Sequence, residues 1–348
     1  MFEPAPRLRG LAVAAPGVSV AQDEMKAFAA RLFGPSVTPL LPVFDHAGIR
    51  TRRTCVPLEW LAQPHGFAER NRLFIEHAVP LLERLTNEAL DRAGVRADEL
   101  DALVVASSTG VCTPTLDALL MERMHLPRSL RRLPIFGLGC GAGVVGLARA
   151  AALARERPDR AVLFLTVELC SLTFRADDRS KSNLVATALF ADGAAAAVLC
   201  CQGDGPRFVA SVEHTFPDSL EVMGWHVEDD GFGVLFSKDI PTIVRRDLAP
   251  ILDRFLEHVD VDPRSILRHA IHPGGTKVLL ALESVLGLEH GGLADARAVL
   301  SEFGNMSAPT VLFVLRRILD RDSGVLPGPC LFSALGPGFT AAMGLFEA

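Results

Sequence analysis

The sequence predicts an α/β protein with buried sheets. Short apolar runs alternate with amphipathic stretches along the whole chain. The chain has 348 residues, 49% of them hydrophobic and 22% charged, enough to bury a large core. No Ser/Gly-rich linker, low-complexity tract or short repeat interrupts the pattern.

In order, "EHAVPLLERLTNEALDRAG" (76–94) places Val79, Leu82, Leu85, Ala89 and Leu90 at helical spacing and stops at Gly94. "DALVVASSTG" (101–110) reads as a buried strand opening into a polar turn, and "LDALLMERM" (116–124) as a helix. "LPIFGLGC" (133–140) is expected to be a strand ending on its cysteine, followed by a helix, "AGVVGLARAAALARE" (142–156). "RAVLFLTVE" (160–168) reads as a strand; "DGAAAAVLCC" (192–201) and "PRFVASVE" (206–213) are expected to form a strand pair. In the second half, 240–259 and 277–287 read as helices and "RHAIHPGG" (268–275) as a strand and turn. Residues 305–321 read as a helix with Pro309 in its first turn, where proline is tolerated, and "PCLFSALGPGF" (329–339) as a strand and glycine turn. A faint change in composition near 202–210 divides the chain into 1–205 and 206–348.

The net charge is −6, the arginines are scattered and no basic tract dominates, so a nucleic-acid partner is not expected. No segment is apolar enough for a signal peptide or a membrane span. Seven cysteines, widely spaced and without C-x-x-C, argue against a disulfide framework or a metal site and for reduced thiols in the cytoplasm.

One of them, Cys140, stands between glycines in "PIFGLGCGAGVVGLARA" (134–150). A cysteine before a helix N-terminus feels the positive end of the helix dipole, which favours the thiolate. A small buried residue in an Ala/Gly-rich contact is the other reading, and spacing leaves both open. A nucleophilic thiol needs a proton partner and an oxyanion site. His272 ends an apolar strand before a Pro-Gly turn, where α/β folds place sites, whereas His77 and His258 lie in helices among charges. Asn305, in "SEFGNMSAPT", is either a helix N-cap or a neutral donor to an oxyanion.

Together, "GLGCGAGVVGL", "AIHPGGTKVL", "SEFGNMSAPTVLFVL" and "ALGPGFT", with "ALFADGAAAAV" (188–198) and "VELCSLTFR" (167–175), resemble the type III polyketide synthases. These are the chalcone/stilbene synthase-like branch of the thiolase superfamily. The resemblance implies a thiolase-like duplicated αβαβα five-layered sandwich, usually a homodimer, with Cys140, His272 and Asn305 as the catalytic triad. It implies Phe190 as a gatekeeper between CoA tunnel and cavity, and Ser307 and Thr173 as cavity residues. Gly336 and Gly338 fall on the loop that shapes the cavity floor, and Thr113 on the segment that reaches a dimer partner's cavity.

The chain also departs from the family pattern. Val234 aligns with a second gatekeeper phenylalanine, with Trp225 and Phe236 near enough in sequence to fill the space, and Cys170 replaces a hydroxyl residue. The basic residues that grip CoA phosphates in plant members are not preserved; Arg50, Arg52 and Arg53 stand in by charge and position.

The implied chemistry loads an acyl-CoA starter on Cys140 through a preformed thiolate–imidazolium pair. Decarboxylative condensation with malonyl-CoA then lengthens the chain. No cofactor is expected beyond the CoA thioesters. The segment 223–241 and "VELCSLT" look like bacterial members that use long fatty acyl starters to make alkylpyrones or alkylresorcinols, with a carrier protein or fatty acid synthase as an alternative donor. The neighbouring alternatives are a ketoacyl-carrier-protein synthase III and a type III synthase using short or malonyl starters. A papain-like hydrolase and a non-catalytic thiolase-fold protein are the distant ones.

Overall fold

A computed structural model describes residues 5–348. Its first half contains β1 (Arg7–Ala14), β2 (Val18–Ala21), α1 (Gln22–Phe33), α2 (Pro42–His46), β3 (Thr51–Thr54), α3 (Leu58–Leu61), α4 (Phe67–Ala93), β4 (Leu100–Ala106), α5 (Leu116–Arg123), β5 (Arg131–Ile135), α6 (Ala142–Glu156), β6 (Ala161–Leu169), α7 (Lys181–Leu189) and β7 (Asp192–Cys200). The second contains β8 (Arg207–Thr215), β9 (Met223–Glu228), β10 (Gly231–Phe236), α8 (Ile240–Asp247), α9 (Ala249–His258), β11 (Arg268–Ile271), α10 (Thr276–Val285), α11 (Ala294–Phe303), α12 (Pro309–Arg321), β12 (Cys330–Gly336) and β13 (Thr340–Glu347).

Nine strands form one sheet in the order β11-β12-β13-β8-β1-β7-β6-β4-β5. The order is a repeat. In the first half β1 is antiparallel to β7, β7 is antiparallel to β6, and β6 is parallel to β4. In the second, β8 is antiparallel to β13, β13 to β12, and β12 is parallel to β11. The halves meet where β1 pairs β8 at Arg7 and Arg207. The strand pair expected between 192–201 and 206–213 therefore does not form, because β1 inserts between β7 and β8.

Helices α6 and α12 lie between the two half-sheets, which explains why both are buried almost all round rather than along one stripe. The 27-residue α4 packs its apolar stripe on the outer face of β1, β7 and β6, and α8–α11 cover the second half. This is the expected five-layered sandwich. Close crossing of α6 and α12 depends on Gly143: a Cβ there would overlap the Ala308 carbonyl oxygen and come 2.7 Å from Val311 Cγ1.

Within the first half the strand directions bring the C-terminal ends of β1, β4, β5 and β6 and the start of β7 to one end, and within the second half those of β8, β11 and β12 and the start of β13; the close approach of Gly336, at the end of β12, to Gly141 joins the two ends. Loops from both halves meet there. A separate β9–β10 ribbon packs over α7 near this edge.

Candidate active site

Cys140 is buried in a 3₁₀ turn, Gly139–Gly141, that runs straight into α6. β5 stops at Ile135, so the strand does not reach the cysteine as expected; Gly137 and Gly139 adopt left-handed φ of 89° and 45° and turn the chain out of the strand. Gly336, at the end of β12, abuts this turn so closely that a Cβ would lie 2.7 Å from Gly141 N. Gly338, with φ 124°, shapes the following β12–β13 turn, and its carbonyl accepts from the Ser219 hydroxyl.

His272 follows β11, and its N–H donates to Ser333 O on β12 at 2.8 Å, on the strand that ends against the cysteine turn. The ring is buried, and neither Nδ1 nor Nε2 has a hydrogen-bond partner. Two orphaned ring nitrogens carry a desolvation cost, which marks them as groups waiting for a ligand.

Asn305 is buried beside Phe190. Its N–H donates to Leu189 O at 2.9 Å, and its carbonyl accepts from Ala191 N at 2.8 Å. It does not cap α12, whose N-cap position is Ala308; its Oδ1 accepts from Ser307 N at 2.9 Å. Ser307 holds a left-handed φ of 56°, a conformation that non-glycine residues adopt at a cost. Its side chain acts on the Cys140 thiol and lowers it. Ser307 thus links Asn305, through its N–H, to the surroundings of the Cys140 thiol, and β12, which accepts from His272 N–H, ends against the cysteine turn.

Burial pushes the Cys140 thiol up to about 12, against the lowering effect of the Ser307 hydrogen bond, and pulls His272 down to about 3. Both directions favour the uncharged forms and oppose the preformed thiolate–imidazolium pair expected from the sequence. Desolvation outweighs the α6 N-terminus at this thiol.

Glu168 was not singled out in the sequence, although an acid ending the apolar strand "RAVLFLTVE" was the available signal. It is fully buried at the end of β6 and accepts from Ser108 N at 3.0 Å, Thr109 Oγ1 at 2.7 Å and Ser107 Oγ at 3.4 Å. Ser108 Oγ in turn accepts from Gly139 N at 3.0 Å, tying this network to the cysteine turn. Burial raises the Glu168 carboxyl to about 7.

Beside the site, a narrow cavity of about 30 Å³ is lined by Phe190, Val234, Cys170, Thr173, Met25 and Leu61, among others. Thr173 Oγ1 donates to Cys170 O at 2.8 Å. Burial holds the Cys170 thiol well above its usual range. Trp225 and Phe236 both pack on the Phe190 ring, with centroids 6.2 and 6.5 Å away, and take part of the room that valine at 234 leaves.

Thr113 is not brought to Cys140 within the chain. It is exposed, in a surface cleft of about 820 Å³ bordered by β5, a strand at the sheet edge, and by the exposed Val111 and Phe136. The three arginines separate. Arg50 is exposed and donates to Ser301 Oγ, and Arg53 donates to Gly17 O. Arg52 is 1% exposed and spends its guanidinium on internal carbonyls, so it is not a surface anchor for CoA phosphates. Among the described residues no cluster of three or more His, Cys, Asp or Glu side chains is arranged to hold a metal ion, and no helix is long and apolar enough to cross a membrane.

A duplicated five-layered sandwich whose cysteine meets loops of both halves at one sheet edge defines a thiolase-like, acyl-transferring condensing enzyme. The profiles of "Chalcone and stilbene synthases", N-terminal and C-terminal domains, match residues 60–203 and 207–343. The chain is 35% identical over 349 residues to a putative chalcone synthase of Bacillus subtilis, covering 95% of this chain and 96% of that one. It is 31% identical over 359 residues to the alpha-pyrone synthesis polyketide synthase-like Pks18 of Mycobacterium tuberculosis, covering 98% and 90%. The crystal structure of 1,3,6,8-tetrahydroxynaphthalene synthase from Streptomyces coelicolor A3(2) superposes with a TM-score of 0.93 at 30% identity, covering 98% of this chain and 99% of that one. The chain belongs to the chalcone and stilbene synthase family, the type III polyketide synthases, which perform decarboxylative condensation on CoA thioesters without a further cofactor.

Proposed function

We propose that the chain loads a long-chain fatty acyl-CoA starter on Cys140, extends it with malonyl-CoA and closes the product to an alkylpyrone or alkylresorcinol. Valine at 234, facing a cavity with Phe190, Cys170 and the apolar Met25, Leu61 and Phe174, is the observation that carries this reading. Valine at 234 leaves out the ring that would block an aliphatic chain, which enters as neighbouring side chains give way. The unbranched Met25 is the side chain that yields most readily as the chain enters. Likeness to a relative named for alpha-pyrone synthesis supports the same product class.

In this reading His272 takes the thiol proton as sulfur attacks the starter carbonyl; the acyl group passes to Cys140 and CoA leaves as the thiol. Malonyl-CoA then loses CO₂, and its electron pair becomes an enolate held by hydrogen bonds from His272 and the Asn305 amide. A neutral amide suits this task, because a carboxylate would repel the enolate. The enolate carbon attacks the acyl-cysteine carbonyl, forming the new C–C bond and releasing the sulfur. Arg50 and Arg53 are the remaining CoA-phosphate candidates. A homodimer, joined across the cleft at Thr113, completes the cavity, and residues 205 and 206 divide the two halves. Delivery by an acyl carrier protein or fatty acid synthase is the alternative to free CoA esters, and the cytoplasm is the expected compartment.

A second reading, with malonyl-CoA as its own starter, is favoured by the small cavity volume and by likeness to a tetrahydroxynaphthalene synthase, whose named product bears no alkyl tail. Purified protein given isotope-labelled malonyl-CoA and starters from acetyl- to palmitoyl-CoA, with products analysed by mass spectrometry, separates the two. Alkylated products carrying more than one malonyl unit are expected, and Val234→Phe shifts the accepted starters toward shorter chains. Turnover with malonyl-CoA alone, or with short starters only, overturns the lipid reading; a single condensation returns the ketoacyl synthase alternative.

A further inference from the structure

The Arg52 side chain is wholly internal, yet it touches none of the three triad residues directly. Its Nη1 donates to Thr187 O at 2.6 Å and Phe190 O at 2.8 Å. Its Nη2 donates to Ala188 O at 2.7 Å and to Gln22 Oε1. Gln22 Nε2 adds a second donor to Ala188 O at 3.1 Å and anchors on Phe44 O at 3.0 Å. The accepting carbonyls belong to the end of α7 and the residue after it, where a helix leaves its last carbonyls unpaired and its dipole is negative. The other side of this segment is bound by Asn305, through Leu189 O and Ala191 N. Arg52 also backs directly on Gly304: a Cβ at Gly304 would sit 3.4 Å from Arg52 Cβ.

We infer that Arg52 is a positioning residue that locks the end of α7, the gatekeeper Phe190 and Asn305 into one rigid unit, and so sets where the Asn305 amide stands. The geometry demands a guanidinium. Four acceptors surround one planar fork, and the compact ammonium of lysine cannot span them. Burial lowers the guanidinium to about 9, opposed by the nearby Asp192, so it remains a cation at neutral pH.

The inference rests on the assignment of Asn305 to the enolate, and it predicts a split between two half-reactions. Starter loading uses Cys140 and His272, carried on other elements; malonyl-CoA decarboxylation uses Asn305. In Arg52→Lys and Arg52→Met, kcat for malonyl-CoA decarboxylation falls at least ~10-fold through misplacement of the amide, with KM for malonyl-CoA little changed. Starter loading, followed by intact mass, and Cys140 alkylation by iodoacetamide, mapped by peptide mass, stay within about 2-fold, since their groups do not move. Gln22→Met, which removes one partner of Arg52 and leaves its charge, shows the same split at smaller size and serves where Arg52 variants do not fold. Folded variants that keep full decarboxylation, or that lose loading and decarboxylation in parallel, overturn the inference. A wild-type protein that loads a starter but does not decarboxylate malonyl-CoA overturns the Asn305 assignment itself, and this inference with it.

Discussion

Replacing His272 with glutamine isolates the burial of Cys140. Desolvation holds the Cys140 thiol at about 12 already in the intact chain, and the substitution removes the imidazole proposed to take its proton as it reacts. At pH 7.5 a thiol of that pKa is ionised to only about 3 × 10⁻⁵, against about one tenth for a free cysteine near 8.5. Because the thiolate is the reactive species, His272→Gln is expected to alkylate at Cys140 about 10³-fold more slowly than a free thiol, and more slowly than wild type. The rate in the variant rises about tenfold per pH unit through pH 10, with no plateau below it. Stopped alkylation by iodoacetamide, read by peptide mass at Cys140 across pH 6–10, measures both. A His272→Gln rate equal to wild type, or a plateau near pH 7, refutes the claim that burial keeps this thiol protonated and that His272 is its base.

Two further outcomes follow from the packing and the buried acids. Gly143→Ala forces a Cβ onto the Ala308 carbonyl and Val311, and is expected to cost about 1–3 kcal/mol in urea unfolding, since backbone lies on one side of the clash. His272 and Glu168 act oppositely on stability with pH. His272, lowered to about 3, takes up a proton in the unfolded chain first, so its contribution is complete above about 6.5 and is lost as pH falls toward 3. Glu168, raised to about 7, keeps its proton longer when folded, so its contribution is complete below about 4.5 and is lost as pH rises toward 7. Between about pH 4.5 and 6.5 the two slopes, each at most about 1.4 kcal/mol per unit, offset one another. Glu168→Gln removes one of them, so denaturant unfolding at pH 5 and pH 6.5 is expected to show the variant gaining more stability with pH than wild type.

Local patterns carried much of the fold. The helix at 142–156 is bounded by a glycine turn and an alanine-rich apolar run, and α6 has those bounds. The strands at 101–106 and 161–168 read clearly because both faces are buried, which leaves an unbroken apolar run. Pairing was less legible. Neighbouring strands 192–201 and 206–213 looked like partners, but which strand lies between them is decided by β1, far away in sequence. The same limit applied to Arg52: by charge and position it read, with Arg50 and Arg53, as a stand-in for the CoA-phosphate anchors, and only the carbonyls of α7 show that its guanidinium is spent inside. Cys140, His272 and Asn305 stood out in the sequence as candidates because each sits beside glycine or proline at an element end. Glu168 was hidden because its partners, Ser107 to Thr109, lie in the turn after a different strand, β4.

The repeated strand order makes α6 and α12 counterparts in the two halves. Cys140 stands just before the first helix, and Asn305 and Ser307 just before the second, so the sulfur and the amide occupy twin addresses. His272, after β11, has as its twin the Ser107–Thr109 stretch after β4, which grips an acid instead of a substrate. The two halves thus place different side chains at equivalent loops, a sulfur and an amide before the central helices, and in the proposed reaction that asymmetry lets one thioester be held while another is made reactive.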